Sequence, residues 1–137
     1  MFLIFLLLIL NSNCTFAQTP EINAQSAILI DAKSKRILYE HNPHMKLPMA
    51  STTKIMTALL ALEKGNYNDK VEIKENAVGV EGSSIYLREG EVLTLEDLLY
   101  GLMLRSGNDA AVAVAEHIGN SVEDFVKLMN QKAKEIG

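Results

Sequence analysis

Leu47-Pro48-Met49-Ala50-Ser51-Thr52-Thr53-Lys54-Ile55-Met56-Thr57-Ala58 is the stretch on which the reading of this chain turns. Apolar residues at Ile55, Leu59 and Leu62 recur at helical spacing, and Gly65 stands just beyond Lys64. The spacing predicts a helix over 51–64 with a glycine stop. On such a helix position i+3 lies on the same face as position i, so Ser51 and Lys54 are neighbours. A serine hydroxyl is a weak nucleophile until a base within hydrogen-bond reach takes its proton. A lysine amine can be that base if burial or a nearby positive charge favours its neutral form. Ser51 falls in the first turn, where unpaired N–H groups and the positive end of the helix dipole favour negative charge on an attacked carbonyl oxygen. Taken alone the pair is weak, because Ser-x-x-Lys arises by chance about 0.5 times in such a chain. An N-cap serine followed by a solvated lysine would look the same.

Outward from this helix the periodicity stays readable. On the N-terminal side, Ser26 to Ile30 and Arg36 to Glu40 are strand-like runs around a polar Asp31–Lys35 turn, which predicts a hairpin. His41 to Pro48 holds two prolines and reads as a loop. On the C-terminal side, Lys70 to Lys74 is a candidate short strand, and Ser84–Leu87 and Glu91–Leu93 flank a turn at Arg88-Glu89-Gly90. Thr94 to Leu104 opens with a capping-box pattern, Thr94 as cap and Asp97 three residues on. Asn108 to Ile118 is an Ala/Val-rich helix closed by Gly119, and Ser121 caps a last helix to about Ile136. No internal repeat is found.

The composition is that of a globular protein: 137 residues, 48% hydrophobic, 22% charged, net charge −4. A mildly acidic chain without a Lys/Arg cluster argues against nucleic acid as the main ligand. Phe2 to Leu10 is an unbroken apolar run, too short to span a bilayer as a helix and long enough for the hydrophobic region of a signal peptide. Thr15-Phe16-Ala17 resembles a small-x-small cleavage site, so residues 1–17 are expected to be a signal peptide cut after Ala17. The basic residue that usually precedes the apolar run is missing. Cys14 is the single cysteine and lies inside this segment, so a mature chain from 18 onward has no disulfide and no thiol chemistry.

The second polar triplet is Ser106-Gly107-Asn108, between two predicted helices. In isolation it is an ordinary turn with an Asn cap. With its flanks it is more specific. The stretch Leu47–Ala58 closely resembles the first active-site motif of the low-molecular-weight penicillin-binding proteins, the serine-type D-alanyl-D-alanine carboxypeptidases. Leu102-Met103-Leu104-Arg105-Ser106-Gly107-Asn108-Asp109-Ala110-Ala111 looks like their second motif. Gly82-Ser83-Ser84-Ile85-Tyr86-Leu87 and Gly90-Glu91 resemble the segment between the two, and the Ala27–Glu40 hairpin resembles the first two strands. The likeness covers nearly all of residues 24–137.

The resemblance implies a mixed α/β (α+β) fold of the serine β-lactamase/D,D-transpeptidase type, an antiparallel sheet packed by helices, with Ser51 starting the central helix. Residues 18–137 would be the N-terminal part of that catalytic domain. It implies removal of the terminal D-alanine from peptidoglycan stem peptides ending in D-Ala-D-Ala. Ser51 would be the nucleophile, its N–H half of the oxyanion hole, and Lys54 the general base. Ser106 would pass a proton toward the leaving amine, and Asn108 would hold Lys54 and a substrate amide. No metal or cofactor is required, and β-lactams would acylate Ser51. The implied location is the periplasm or the outer face of the cytoplasmic membrane, with membrane association through a C-terminal segment beyond Gly137 left open.

One departure stands out. The family's third motif, Lys-Thr-Gly on a late strand, does not occur in these 137 residues. It would bind the substrate carboxylate and complete the oxyanion hole. The chain is therefore expected to be a fragment of a longer protein, and as a whole protein it would fold poorly and turn over little. Three alternatives stay open: a D,D-endopeptidase, a class A β-lactamase (against which Gly107 argues, since β-lactamases carry Asp there), and a non-catalytic penicillin-binding protein. Several other residues read as structural. His41-x-x-His44 lies in a proline-containing loop without a third ligand, and His117 reads as a surface or packed histidine. Glu96 and Asp97 suit a helix first turn. Met103 and Met129 read as core fillers.

Overall fold

The computed structural model describes residues 21–137; the expected signal peptide, its cleavage site and Cys14 lie outside the described residues. The chain divides into two compact units, one ending at Leu47 and the other running from Pro48 to Gly137.

The first unit is the predicted hairpin. Strands β1 (Ala27–Ile30) and β2 (Ile37–His41) pair antiparallel, with Ala27 opposite His41 and Leu29 opposite Tyr39. The turn is built by Asp31, whose carboxylate accepts from both the N–H and the hydroxyl of Ser34 at 2.6 Å. This local Asx closure lets Lys35 take a left-handed conformation, φ 60°. Ile28, Leu29, Ile30, Ile37 and Leu38 stay about half exposed, so the hairpin carries aliphatic residues on both faces. The polar side of His41 is turned to its neighbour Asn42.

The second unit contains helices α1 (Thr53–Lys64), α2 (Leu95–Arg105), α3 (Asn108–Gly119) and α4 (Val122–Ile136), with strands β3 (Lys70–Glu72) and β4 (Val92–Thr94). The predicted helix start at Ser51 differs in detail. Ala50–Thr52 forms a single 3-10 turn that runs directly into α1, and Ala50 is left-handed at φ 47°. Gly65 follows α1 as expected, though in an extended conformation. Strand β4 pairs with β3, Val71 opposite Leu93, while Ser84–Leu87 joins no strand. The described strands thus make two separate two-stranded antiparallel sheets.

The core is aliphatic. Ala61, Val71, Ile73, Leu95, Leu98, Leu102, Ala110 and Val114 are buried together where α1, α2 and α3 meet the β3–β4 ribbon. Each large side chain so removed from water stabilises the fold by roughly 1.5–3 kcal/mol. Phe125 seals a second cluster with Leu60 and Ala115 beneath α4. Helix α2 starts with the full predicted capping box between Thr94 and Asp97. Helix α3 runs one residue further than predicted. Gly119 lies within it and Asn120 takes the left-handed position at φ 66°. The glycine is required by contact instead: a Cβ there would stand 2.7–2.8 Å from the Phe125 backbone. Ser121 then caps α4 by accepting from Asp124 N–H.

Candidate active site

Two segments about fifty residues apart meet at one spot. The turn before α1 presents Ser51, and the first turn of α1 presents Lys54. The sharp corner between α2 and α3 presents Ser106 and Asn108. The corner exists because Ser106 is left-handed, φ 56°, which ends α2, while the N–H groups of Ser106 and Gly107 both turn back to the Gly101 carbonyl. Asn108 is the first residue of α3 and caps nothing with its side chain. It reaches across to α1 instead.

Lys54 Nζ donates to Asn108 Oδ1 at 2.6 Å, to Ser106 Oγ at 3.1 Å and to Ser51 Oγ at 3.5 Å. The Ser106 hydroxyl donates to Ser51 Oγ at 2.8 Å. All four residues singled out from the sequence are therefore joined in one hydrogen-bonded network centred on Lys54. The direct Ser51–Lys54 separation lies at the outer limit of a hydrogen bond, whereas both steps through Ser106 are of ordinary length. Ser51 is exposed while Lys54, Ser106 and Asn108 are half-buried. Ser51, Lys54 and Asn108 border an open cavity of about 390 Å³, whose wall is completed by Ala50, Thr53, Thr57 and Ala111.

The amide of Asn108 is fixed from behind. Its Nδ2 donates to the Glu81 carbonyl at 2.6 Å, which leaves Oδ1 for Lys54, and its backbone N–H donates to the Ser83 carbonyl at 2.7 Å. Gly82, between these two acceptors, sits at φ +93°, and a Cβ there would lie 2.7 Å from Asn108 Nδ2. Only glycine fits both the backbone and the space.

Asp109 is the residue that sequence reasoning passed over, although it stands in the quoted second motif. It is 1% exposed. Its carboxylate accepts from the Ser84 hydroxyl at 2.6 Å, from Ile85 N–H at 3.0 Å and from Leu87 N–H at 3.1 Å. Burial pushes its pKa up, but the hydrogen bonds from Ser84, Leu87, Ile85 and Ala110 outweigh burial and hold it below the ordinary aspartate value of 3.8. A carboxylate directly before the apolar run Ala110–Ala115 was the available signal, since a charge on that face must be buried and satisfied. The other polar residues have structural places. Asp97 serves the α2 cap, and His117 pairs with Asp69 at 3.3 Å.

Two hydroxyls, an amine and an oriented amide converge at this helix corner, the set of groups that serine/lysine acyl transfer requires. The chain belongs to the D-alanyl-D-alanine carboxypeptidase family, whose model matches residues 13–137. It is 49% identical over 119 residues to D-alanyl-D-alanine carboxypeptidase DacF of Bacillus subtilis, covering 83% of this chain and 31% of that protein. Penicillin binding protein 5 from Haemophilus influenzae superimposes with a TM-score of 0.81 at 37% identity, over 89% of this chain and 38% of that one. A DD-transpeptidase of Streptomyces superimposes at 0.77 with 33% identity, over 87% of this chain and 51% of that one. The fold is accordingly that of the penicillin-binding proteins and DD-transpeptidases, mixed α/β as expected. The chain spans about a third of the length of the curated relatives it matches.

Proposed function

We propose that this chain carries the nucleophile-bearing part of a serine-type D-Ala-D-Ala carboxypeptidase that trims peptidoglycan stem peptides through an ester on Ser51. The supporting observation is the continuous path from Ser51 Oγ through Ser106 Oγ to Lys54 Nζ, with steps of 2.8 and 3.1 Å. With Lys54 as the neutral amine and both hydroxyls rotated to donate toward it, the Ser51 proton passes along this path by way of Ser106 to Lys54 as Oγ attacks the carbonyl of the penultimate D-Ala. The Ser51 N–H helps hold the developing oxyanion. The proton then returns through Ser106 to the leaving nitrogen, the C–N bond breaks, and free D-alanine departs. Water adds to the ester as one of its protons goes to Lys54; the bond from the acyl carbon to Ser51 Oγ then breaks as that proton returns to Oγ, and the shortened peptide leaves as a carboxylic acid that ionises in water. Asn108 keeps Lys54 in line and offers its amide edge to the substrate backbone.

β-Lactams fit the same reading, because their strained amide gives an acyl donor that Ser51 can open. Residues 1–17 are proposed as a signal peptide delivering the protein to the cell envelope, where its polymer substrate lies. Among the described residues no helix is long and apolar enough to cross a membrane.

The test is intact-mass detection of a β-lactam adduct, with release of D-alanine from a D-Ala-D-Ala peptide measured in parallel. One adduct that vanishes in Ser51→Ala supports the reading. No adduct on a chain that circular dichroism finds folded refutes it. Release of D-alanine only from cross-linked peptide dimers would move the assignment to an endopeptidase.

A further inference from the structure

We propose that Asp109 is a positioning residue: its carboxylate holds loop 81–87 against the start of α3, so that the Glu81 carbonyl fixes the Asn108 amide with Oδ1 on Lys54. The inference rests on the site reading above for its catalytic consequence, though not for its geometry.

Loop 81–87 has no ladder partner of its own. Its backbone is left-handed at Gly82 and again at Tyr86, φ 62°, a bulky residue that leaves 83% of its surface in water. An aromatic side chain gains nothing from that exposure, and the conformation is unfavourable for it. Something outside the loop must therefore impose the shape. Asp109 does so by accepting the N–H groups of Ile85 and Leu87, two residues apart, as a neighbouring strand would. It also takes the Ser84 hydroxyl, whose oxygen in turn accepts the Tyr86 N–H at 2.9 Å. All three backbone donors around the strained residue are thereby satisfied, two of them directly.

The far end of the same loop supplies the Glu81 carbonyl. An asparagine amide has two ends of nearly equal shape and opposite hydrogen-bond character. Turned over, Asn108 would present an NH2 group to the Lys54 amine, and Oδ1 would face the Glu81 carbonyl. The position of Glu81 therefore selects the working orientation, and Asp109 anchors the loop that carries Glu81. Adjacent residues of one helix thus do complementary work. Asn108 touches the reacting amine, and Asp109 acts on it only through the loop.

The experiment compares the full parent chain with Asp109→Asn and Ser84→Ala by two readouts. One is the rate of acylation by a fluorescent penicillin. The other is the NMR signal of the Asn108 side-chain NH2. Asp109→Asn replaces an acceptor oxygen with a donor facing N–H groups. It is expected to slow acylation by roughly 10- to 100-fold, as for a small misplacement of a catalytic group, and to move the Asn108 signal. Ser84→Ala removes one of the bonds and is expected to slow acylation by roughly 2- to 10-fold with a smaller movement of the same signal. If a folded Asp109→Asn chain acylates like the parent, or slows with the Asn108 signal unmoved, the proposal is overturned. If Asp109→Asn does not fold, Ser84→Ala decides by the same criteria. If the parent itself is not acylated, the site reading fails, and the Asn108 signal alone still judges the positioning.

Discussion

Replacing Ser106 with glycine separates the chemistry of this site from its folding. Ser106 combines two features. Its hydroxyl bridges Ser51 and Lys54, and its backbone is left-handed at φ 56°. Glycine removes the hydroxyl and welcomes the backbone. The left-handed conformation costs a non-glycine residue about 1–2 kcal/mol, which the substitution returns. Loss of the two hydrogen bonds of a half-buried hydroxyl costs about 0.5–1.5 kcal/mol each. The terms nearly cancel, so urea unfolding of Ser106→Gly should lie within about 1 kcal/mol of the parent. Acylation responds quite differently. Without Ser106 the proton must cross the direct 3.5 Å gap from Ser51 to Lys54. Loss of a positioned proton carrier is worth about 10²- to 10⁴-fold, or roughly 3–5 kcal/mol of barrier. Stopped-flow labelling with a fluorescent penicillin measures this directly. A Ser106→Gly chain of parental stability that labels within about tenfold of the parent rate would refute the relay and return the proton to the direct route.

Two further outcomes follow from the packing and the charges. Gly119→Ala places a methyl 2.7–2.8 Å from the Phe125 backbone. Overpacking of this kind costs about 1–3 kcal/mol, against which alanine's helix preference recovers about 1 kcal/mol. A net loss of up to about 2 kcal/mol is expected in urea titrations, and an unchanged or raised midpoint would show that α4 shifts freely. Asp109, with its pKa held below 3.8 in the folded chain, contributes stability that is fully present above that value and is lost as pH falls through its folded pKa. Thermal melts of the parent and Asp109→Asn should therefore differ most above about pH 4 and converge below it. A constant difference across that range would contradict the assignment of its charge to the loop.

Much of this was legible in the residues, and the exceptions have physical causes. Helices α2 and α4 announced themselves because Thr94 and Ser121 cap with their own side chains, a local interaction written within four residues. The proximity of the four polar residues was legible because Ser51 and Lys54 stand three apart across the start of α1 and Ser106 and Asn108 share a corner. What remained hidden was non-local. Gly119 looked like a stop because glycine commonly is one, and its true constraint is the backbone of Phe125, six residues on in a different helix. Ser84–Leu87 flanks the turn at 88–90, yet its Ile85 and Leu87 N–H groups are claimed by a carboxylate instead of a ladder. The 3-10 turn at Ala50–Thr52 could not be told from a first helical turn by periodicity, because one turn is too short to show a period.

The sequence separations across the site, 52, 54 and 55 residues, carry a consequence for when reactivity appears. Closing a loop of that length costs on the order of 3–4 kcal/mol of chain entropy. Hydrogen bonds that replace equivalent bonds to water offset little of it. The closure is instead driven by Ala61, Leu98, Leu102, Ala110 and Val114, buried where α1, α2 and α3 meet. Ser51 is thus an ordinary alcohol in any chain whose helices have not docked, including one still emerging from the ribosome before residue 108. On the proposed reading its reactivity is acquired late and all at once, so covalent labelling should count docked molecules, and any cavity cut into that distant aliphatic cluster should be felt first as silence at the serine.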